Sequence, residues 1–223
     1  MHGFWVDGSS WSDVIPLLLV RGHVVTAVQS PLTSLHEDVA ATRRAIKRNS
    51  GPTLLVGHSW GGAAITEAGE EPEVAALVYI AAFGLDVGQS LVSASAAPVF
   101  SNHSYQTDAE GFVWLGREAF RDVLCADVPA PRASLLAAVQ KPASSEAFDN
   151  ELSCAAWRST PAWYMVASED RIIAPDAQRA MARNMRATTV EVRSSHLAMI
   201  SQPEAVAALI LQAADHVVPE DRT

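Results

Sequence analysis

The sequence predicts an α/β fold: a mostly parallel central sheet flanked by helices, with a helical cap inserted into it and its N-terminal strands missing. Three observations predict it. Short apolar runs rich in β-branched residues recur between helical patterns. Their apolarity is continuous rather than alternating, as in strands covered on both faces. The stretch from 86 to 157 then breaks that rhythm with interspersed Ser, Ala and Pro.

The strands are expected at residues 23–28, 53–57, 74–83, 162–167 and 188–192. Between the first two, Ser34 and Glu37 form a capping box, with Glu37 and Asp38 at the positive end of a helix and Arg43, Arg44, Lys47 and Arg48 at its negative end. Leu35, Val39 and Ile46 share its core face, and Gly51-Pro52 stops it. A second box, Ser201 with Glu204, is expected to open the last helix, whose stripe is Val206, Leu209, Ile210 and Ala213. Residues 1–85 and 158–223 are thus assigned to the core and 86–157 to the cap, with helical patterns at 116–124 and 132–139. The cap carries Phe100, Phe112, Trp114 and Phe120, which suit an apolar wall for substrate and equally well the lid's own small core.

With 223 residues, 49% of them hydrophobic, the chain can bury one core but not two full domains. Its net charge of −9, without a run of Lys or Arg, argues against nucleic acid or an anionic membrane surface as partner. Cys125 and Cys154 have no metal-ligand or CxxC spacing and are expected to be plain buried thiols. No signal peptide or membrane span is legible, so a cytoplasmic monomer or homodimer is the expectation.

The strongest chemical signal is Gly57-His58-Ser59-Trp60-Gly61, a G-x-S-x-G set directly after the strand residues 53–56 and directly before a helix beginning near Gly61. A serine in so tight a turn is forced into a strained conformation, and the residues two before and two after must be tiny. The turn lifts the hydroxyl above the sheet, and the helix aims its free N–H groups at a developing oxyanion. Ser59 is therefore the candidate nucleophile. An ordinary glycine-rich turn is the bland alternative, and it leaves the agreement of strand, turn and helix unexplained. His58 is expected to point away from the serine in a structural role.

A serine needs a base, and the base needs a carboxylate to set its tautomer. The chain order in such a frame is Ser, acid, His. His196 follows the last strand and precedes the final helix, which suits a base. The other histidines suit surface, turn or core positions, with His103 in the cap also able to touch substrate. Asp170, at the end of the strand at 162–167, is the expected acid ahead of Glu169, with Asp176 and Asp86 in reserve. For the oxyanion, the backbone N–H groups of Trp60 and Phe4 are the expected donors, Phe4 following a His2-Gly3 pair.

Taken together, these residues resemble the α/β hydrolases, and within them the branch of plant methyl-ester esterases, hydroxynitrile lyases and bacterial homologues. The resemblance covers nearly the whole chain. It rests on His2-Gly3 with Trp11, on Gly57 through Gly62, on Glu169-Asp170 with Ile173, and on Ser195-His196-Leu197-Ala198-Met199 leading to Gln202-Pro203. It implies a Ser59–His196–Asp170 triad with acyl-enzyme chemistry on a small ester or lactone, a cap over the site, Leu197 beside the substrate, and neither metal nor organic cofactor. The lyases of this branch carry a lysine after the base and a threonine in the oxyanion loop. Leu197 and Gly3 stand at those positions and favour hydrolysis over cyanohydrin cleavage. Perhydrolase activity and a slow, receptor-like use of the same triad remain alternatives. Relatives also carry an apolar strand leading into the His-Gly pair. The expectation is that this chain starts downstream of theirs, with a sheet short of a strand and a looser oxyanion loop.

Overall fold

The computed structural model describes residues 1–94 and 105–217. Its strands, in chain order, are β1 (Thr53–His58), β2 (Val74–Ile80), β3 (Tyr105–Thr107), β4 (Phe112–Leu115), β5 (Ala143–Ser144), β6 (Ala162–Ala167) and β7 (Thr188–Val192). The central sheet is parallel throughout, in the order β1-β2-β6-β7. Every residue of β6 is buried and β2 is buried from Ala76 onward, which is why both read as unbroken apolar runs. β2 stops at Ile80, short of the expected 83, because Ala81 turns out of the strand at φ 43°. The chain then passes beneath the candidate nucleophile, where Phe83 N–H donates to Ser59 O at 3.0 Å.

Helices α1 (Ile15–Leu19), α2 (Leu35–Ile46) and α3 (Gly61–Ala68) precede two C-terminal ones, Pro175–Asn184 and Pro203–Val217. Helix α2 opens as its sequence predicts: Ser34 Oγ accepts the Glu37 N–H at 3.2 Å, and Leu35, Val39 and Ile46 are buried. The second expected capping box does not form. Pro203 has no N–H to continue a helix, so the C-terminal segment divides into Ala198–Ser201 and Pro203–Val217. The Ser201 hydroxyl instead pairs with Ser194 Oγ at 2.7 Å. The predicted stripe Val206, Leu209, Ile210 and Ala213 is buried.

The expected strand at 23–28 is absent. Val24 is 87% exposed, while Val25 and Val28 pack half-buried on the core. A strand needs a neighbour to bond, and among the described residues the outer flank of β1 is engaged near its end. There the Met1 amine donates to Val56 O at 2.6 Å and His58 N–H donates to Met1 O at 3.1 Å, the bond pair of a parallel bridge. Between β1 and residues 23–28 lies a groove of about 610 Å³, its walls including Leu18, Val25, Val28, Ile46 and Leu54. Burial pulls the Met1 amine down to about 5.

Residues 86–157 hold the expected helical turns, Phe120–Leu124 and Ala130–Ala138, and also a small antiparallel sheet in the order β3-β4-β5 that sequence reasoning missed. This unit is tied to the core near the N-terminal loop. The Trp5 indole donates to Val113 O at 3.0 Å, and Ser144 N–H to Leu32 O at 2.8 Å. Cys125 is buried, with its thiol pushed up to about 12 chiefly by burial, whereas Cys154 is only half-buried.

Candidate active site

Ser59 sits between β1 and α3 with φ 53°, in the left-handed region that a residue with a side chain enters only under strain. The glycines around it are required by contact. A Cβ on Gly57 would stand 2.6 Å from Gly61 O, and one on Gly61 would stand 2.8 Å from His2 O. Gly3 is the closest case. A Cβ there would meet Ser59 Cβ at 2.5 Å and Ser59 Oγ at 3.0 Å, so the N-terminal loop lies directly against the serine.

His196 and Asp170 are brought together as the sequence predicts. His196 Nδ1 lies 2.7 Å from Asp170 Oδ2, and the two side chains are almost wholly buried. The carboxylate is held in four directions: Ile172 and Ile173 N–H donate to Oδ1 at 2.7 and 3.0 Å, and Gln178 Nε2 donates to Oδ2 at 2.7 Å beside the imidazole. An acceptor at Nδ1 fixes the proton there and leaves Nε2 as the basic nitrogen. Among the described residues no hydrogen bond joins His196 to Ser59 Oγ, a link that in resting enzymes commonly closes only with substrate. The other acids are engaged at the surface: Glu169 with Arg193, Asp86 with Arg158 and Asp176 with Arg179.

The two expected oxyanion donors lie on segments that touch. The rings of Phe4 and Trp60 stack with centroids 4.9 Å apart, and Phe148 packs edge-on against Phe4 at 5.0 Å. Neither the Phe4 nor the Trp60 N–H donates to an acceptor among the described residues, as a group reserved for a ligand oxygen would require. The loop is anchored through His2. His2 Nδ1 donates to Gly3 O at 2.9 Å, and its Nε2 accepts the Ser30 N–H at 2.9 Å. Burial chiefly brings His2 down to about 4, so it stays neutral.

The aromatics expected to line a substrate wall are placed differently from one another. Phe120 is fully buried in the core, and along β4 the inward residues are Val113 and Leu115, leaving Phe112 and Trp114 on the half-exposed face. Leu197 is fully buried next to the base. Phe100 and His103 lie outside the described residues. The aromatic that sequence reasoning missed is Phe148.

Three polar residues around the site were also missed. Asp38, fully buried on α2, accepts the Trp60 indole N–H at 2.7 Å and the Leu32 N–H at 2.9 Å. Gln178 bridges Asp170, Ile173 O and the Ala167 N–H. Asp127, from the 86–157 segment, accepts the Ser195 N–H at 3.0 Å and the Ser195 hydroxyl. Burial raises its carboxyl, but the Ser195 bonds outweigh that and its pKa is lowered. Of the three only Asp38 was read in the sequence, as a helix-end charge and not as a partner of Trp60.

A sequence model of the alpha/beta hydrolase family matches residues 1–209. An alpha/beta hydrolase of Aspergillus novofumigatus is 28% identical, covering 84% of this chain and 81% of its own. Methylesterase 2 of Arabidopsis thaliana is 26% identical, covering 96% and 93%. Among solved structures, a pyrethroid hydrolase from Sphingobium faniae superposes with a TM-score of 0.82 at 23% identity, over 96% of this chain and 95% of that one. Polyneuridine aldehyde esterase gives 0.81 at 20% identity, over 96% and 97%. At these identities the superpositions speak for the fold.

Proposed function

This chain belongs to the alpha/beta hydrolase family, and on that premise we propose that it is a serine esterase of small, hydrophobic carboxylic esters or lactones. One observation carries the reading: the buried His196–Asp170 pair, 2.7 Å apart, on the loops that follow β6 and β7, in a fold whose elbow presents Ser59 in a strained turn. The names of its relatives, a methylesterase and a pyrethroid hydrolase among them, point to ester bonds.

In this reading Ser59 Oγ attacks the ester carbonyl carbon while His196 Nε2 takes its proton. Asp170 stabilises the imidazolium without itself being protonated. The carbonyl oxygen becomes an oxyanion between the Phe4 and Trp60 N–H groups. As the intermediate collapses, the C–O bond to the alcohol breaks and His196 returns the proton to the leaving oxygen. Water then attacks the acyl-enzyme, giving up a proton to His196, and Ser59 is released with the carboxylic acid. Gly3, which has no room for a threonine side chain, and Leu197 favour this route over cyanohydrin cleavage. Residues 86–157 serve as the lid in this proposal, with Phe148 at its contact with Phe4.

The test is turnover of short p-nitrophenyl esters and lactones of varied acyl length, with fluorophosphonate labelling. Multiple turnovers and a single label lost in Ser59→Ala are expected. Undiminished turnover by Ser59→Ala, or a folded chain that resists the label, would refute the assignment.

A further inference from the structure

His58 ends β1 one residue before the nucleophile, is fully buried, and has no part in the scheme above. Its ring reaches across to the loop that carries His196. Nε2 lies 2.9 Å from the backbone carbonyl oxygen of His196, across 138 residues of sequence. A carbonyl only accepts, so Nε2 carries the proton. Burial, with His196 alongside, holds the ring neutral, so Nδ1 is a bare lone pair, and it has no donor among the described residues. On the Nδ1 side stands Gly3, where a Cβ would be 3.1 Å from that nitrogen. The two imidazoles lie 4.7 Å apart, centroid to centroid, tilted by 56°. One side chain therefore meets the nucleophile strand, the oxyanion loop and the base loop.

Packing alone does not account for it. An apolar side chain of similar size would fill the space without burying a polar nitrogen that nothing satisfies. What only a donor at Nε2 supplies is a hold on His196's own backbone. Its neighbours are held differently, Ser195 by Asp127 and Leu197 O by the Ile200 N–H at 2.9 Å. Resting on the reading of His196 as the base of Ser59, we propose that His58 is a positioning residue. Its Nε2–H fixes the His196 backbone, and so the place from which the His196 imidazole reaches the serine.

The structure supplies a discriminating pair of variants. His58→Gln can put an amide N–H where Nε2 stands. His58→Asn reaches only the position of Nδ1, which bonds nothing, and His58→Leu fills space without a donor. On p-nitrophenyl butyrate, His58→Leu and His58→Asn are expected to lose about 10- to 100-fold in kcat with KM held within about twofold, as for a misplaced catalytic group. His58→Gln is expected to recover most of the loss, and fluorophosphonate labelling rates should follow the same order. Wild-type kcat in folded His58→Leu would overturn the proposal. If His58→Leu fails to fold, Gln and Asn decide it: equal impairment of the two means His58 only packs. An inactive, unlabelled wild type would refute the serine-esterase reading itself. Active wild type with an unimpaired His58→Asn would refute this inference alone.

Discussion

Asp38 Oδ2 accepts the indole N–H of Trp60 at 2.7 Å, so the residue proposed to offer its backbone N–H to the oxyanion is tethered by a buried carboxylate on another helix. Asp38→Ala would leave that indole and the Leu32 N–H buried without acceptors. The expected loss is about 2–4 kcal/mol of stability, read from urea unfolding, together with a fall in kcat as Trp60 shifts. Burial raises the Asp38 carboxyl above its ordinary value despite the Trp60 bond. A folded pKa above the unfolded one means that this group's contribution is fully present below pH 3.8 and is lost as pH rises through the folded value. Asp38→Asn keeps an acceptor oxygen and should flatten that slope.

Gly3 admits no side chain. Gly3→Ala is expected to reduce kcat by about 100-fold or more while the protein still folds, because its Cβ would have to displace Ser59 Cβ from 2.5 Å. Esterase assay with melting curves separates the two effects. A Gly3→Ala enzyme of normal kcat would show that the N-terminal loop yields freely.

Gln178 donates to Asp170 Oδ2, the same oxygen that meets the imidazole. Gln178→Met, similar in volume, is expected to cost about tenfold in kcat and about 1–3 kcal/mol, since the Ala167 N–H loses its acceptor as well. Retention of full kcat would mean that the Ile172 and Ile173 N–H groups suffice to orient the acid.

Acid should weaken the fold through His2. Burial chiefly brings its imidazole down to about 4 from 6.5. The unfolded chain binds more protons between these values, so stability falls as pH drops from about 7 towards 4, by an amount on the order of a few kcal/mol. Unfolding midpoints between pH 4.5 and 8 measure it, and a midpoint that does not move across that range would refute it.

What was legible in the sequence follows physical locality. The elbow is a local object, in which Gly57, Ser59 and Gly61 impose one geometry on five residues, and the buried strands declare themselves by unbroken apolarity. Asp170 and His196 were found through chain order and strand ends. Asp38, Gln178 and Asp127 act across 22, 8 and 68 residues, and nothing in a capping turn or a cap segment announces such a partner. The strands β3 to β5 span only two to four residues, too short for a periodic pattern. Residues 23–28 have the composition of a strand, but composition cannot supply a neighbour.

The groove beside β1 has a consequence for handling the protein. With no strand paired to the outer flank of β1 among the described residues, the groove beside it, which has several aliphatic side chains in its walls, is adhesive towards other extended backbone, including that of an unfolding copy. The net charge of −9 repels copies over a Debye length of about 10 Å in 0.1 M salt and about 3 Å in 1 M. Concentrated stocks should therefore cloud sooner in high salt than in low.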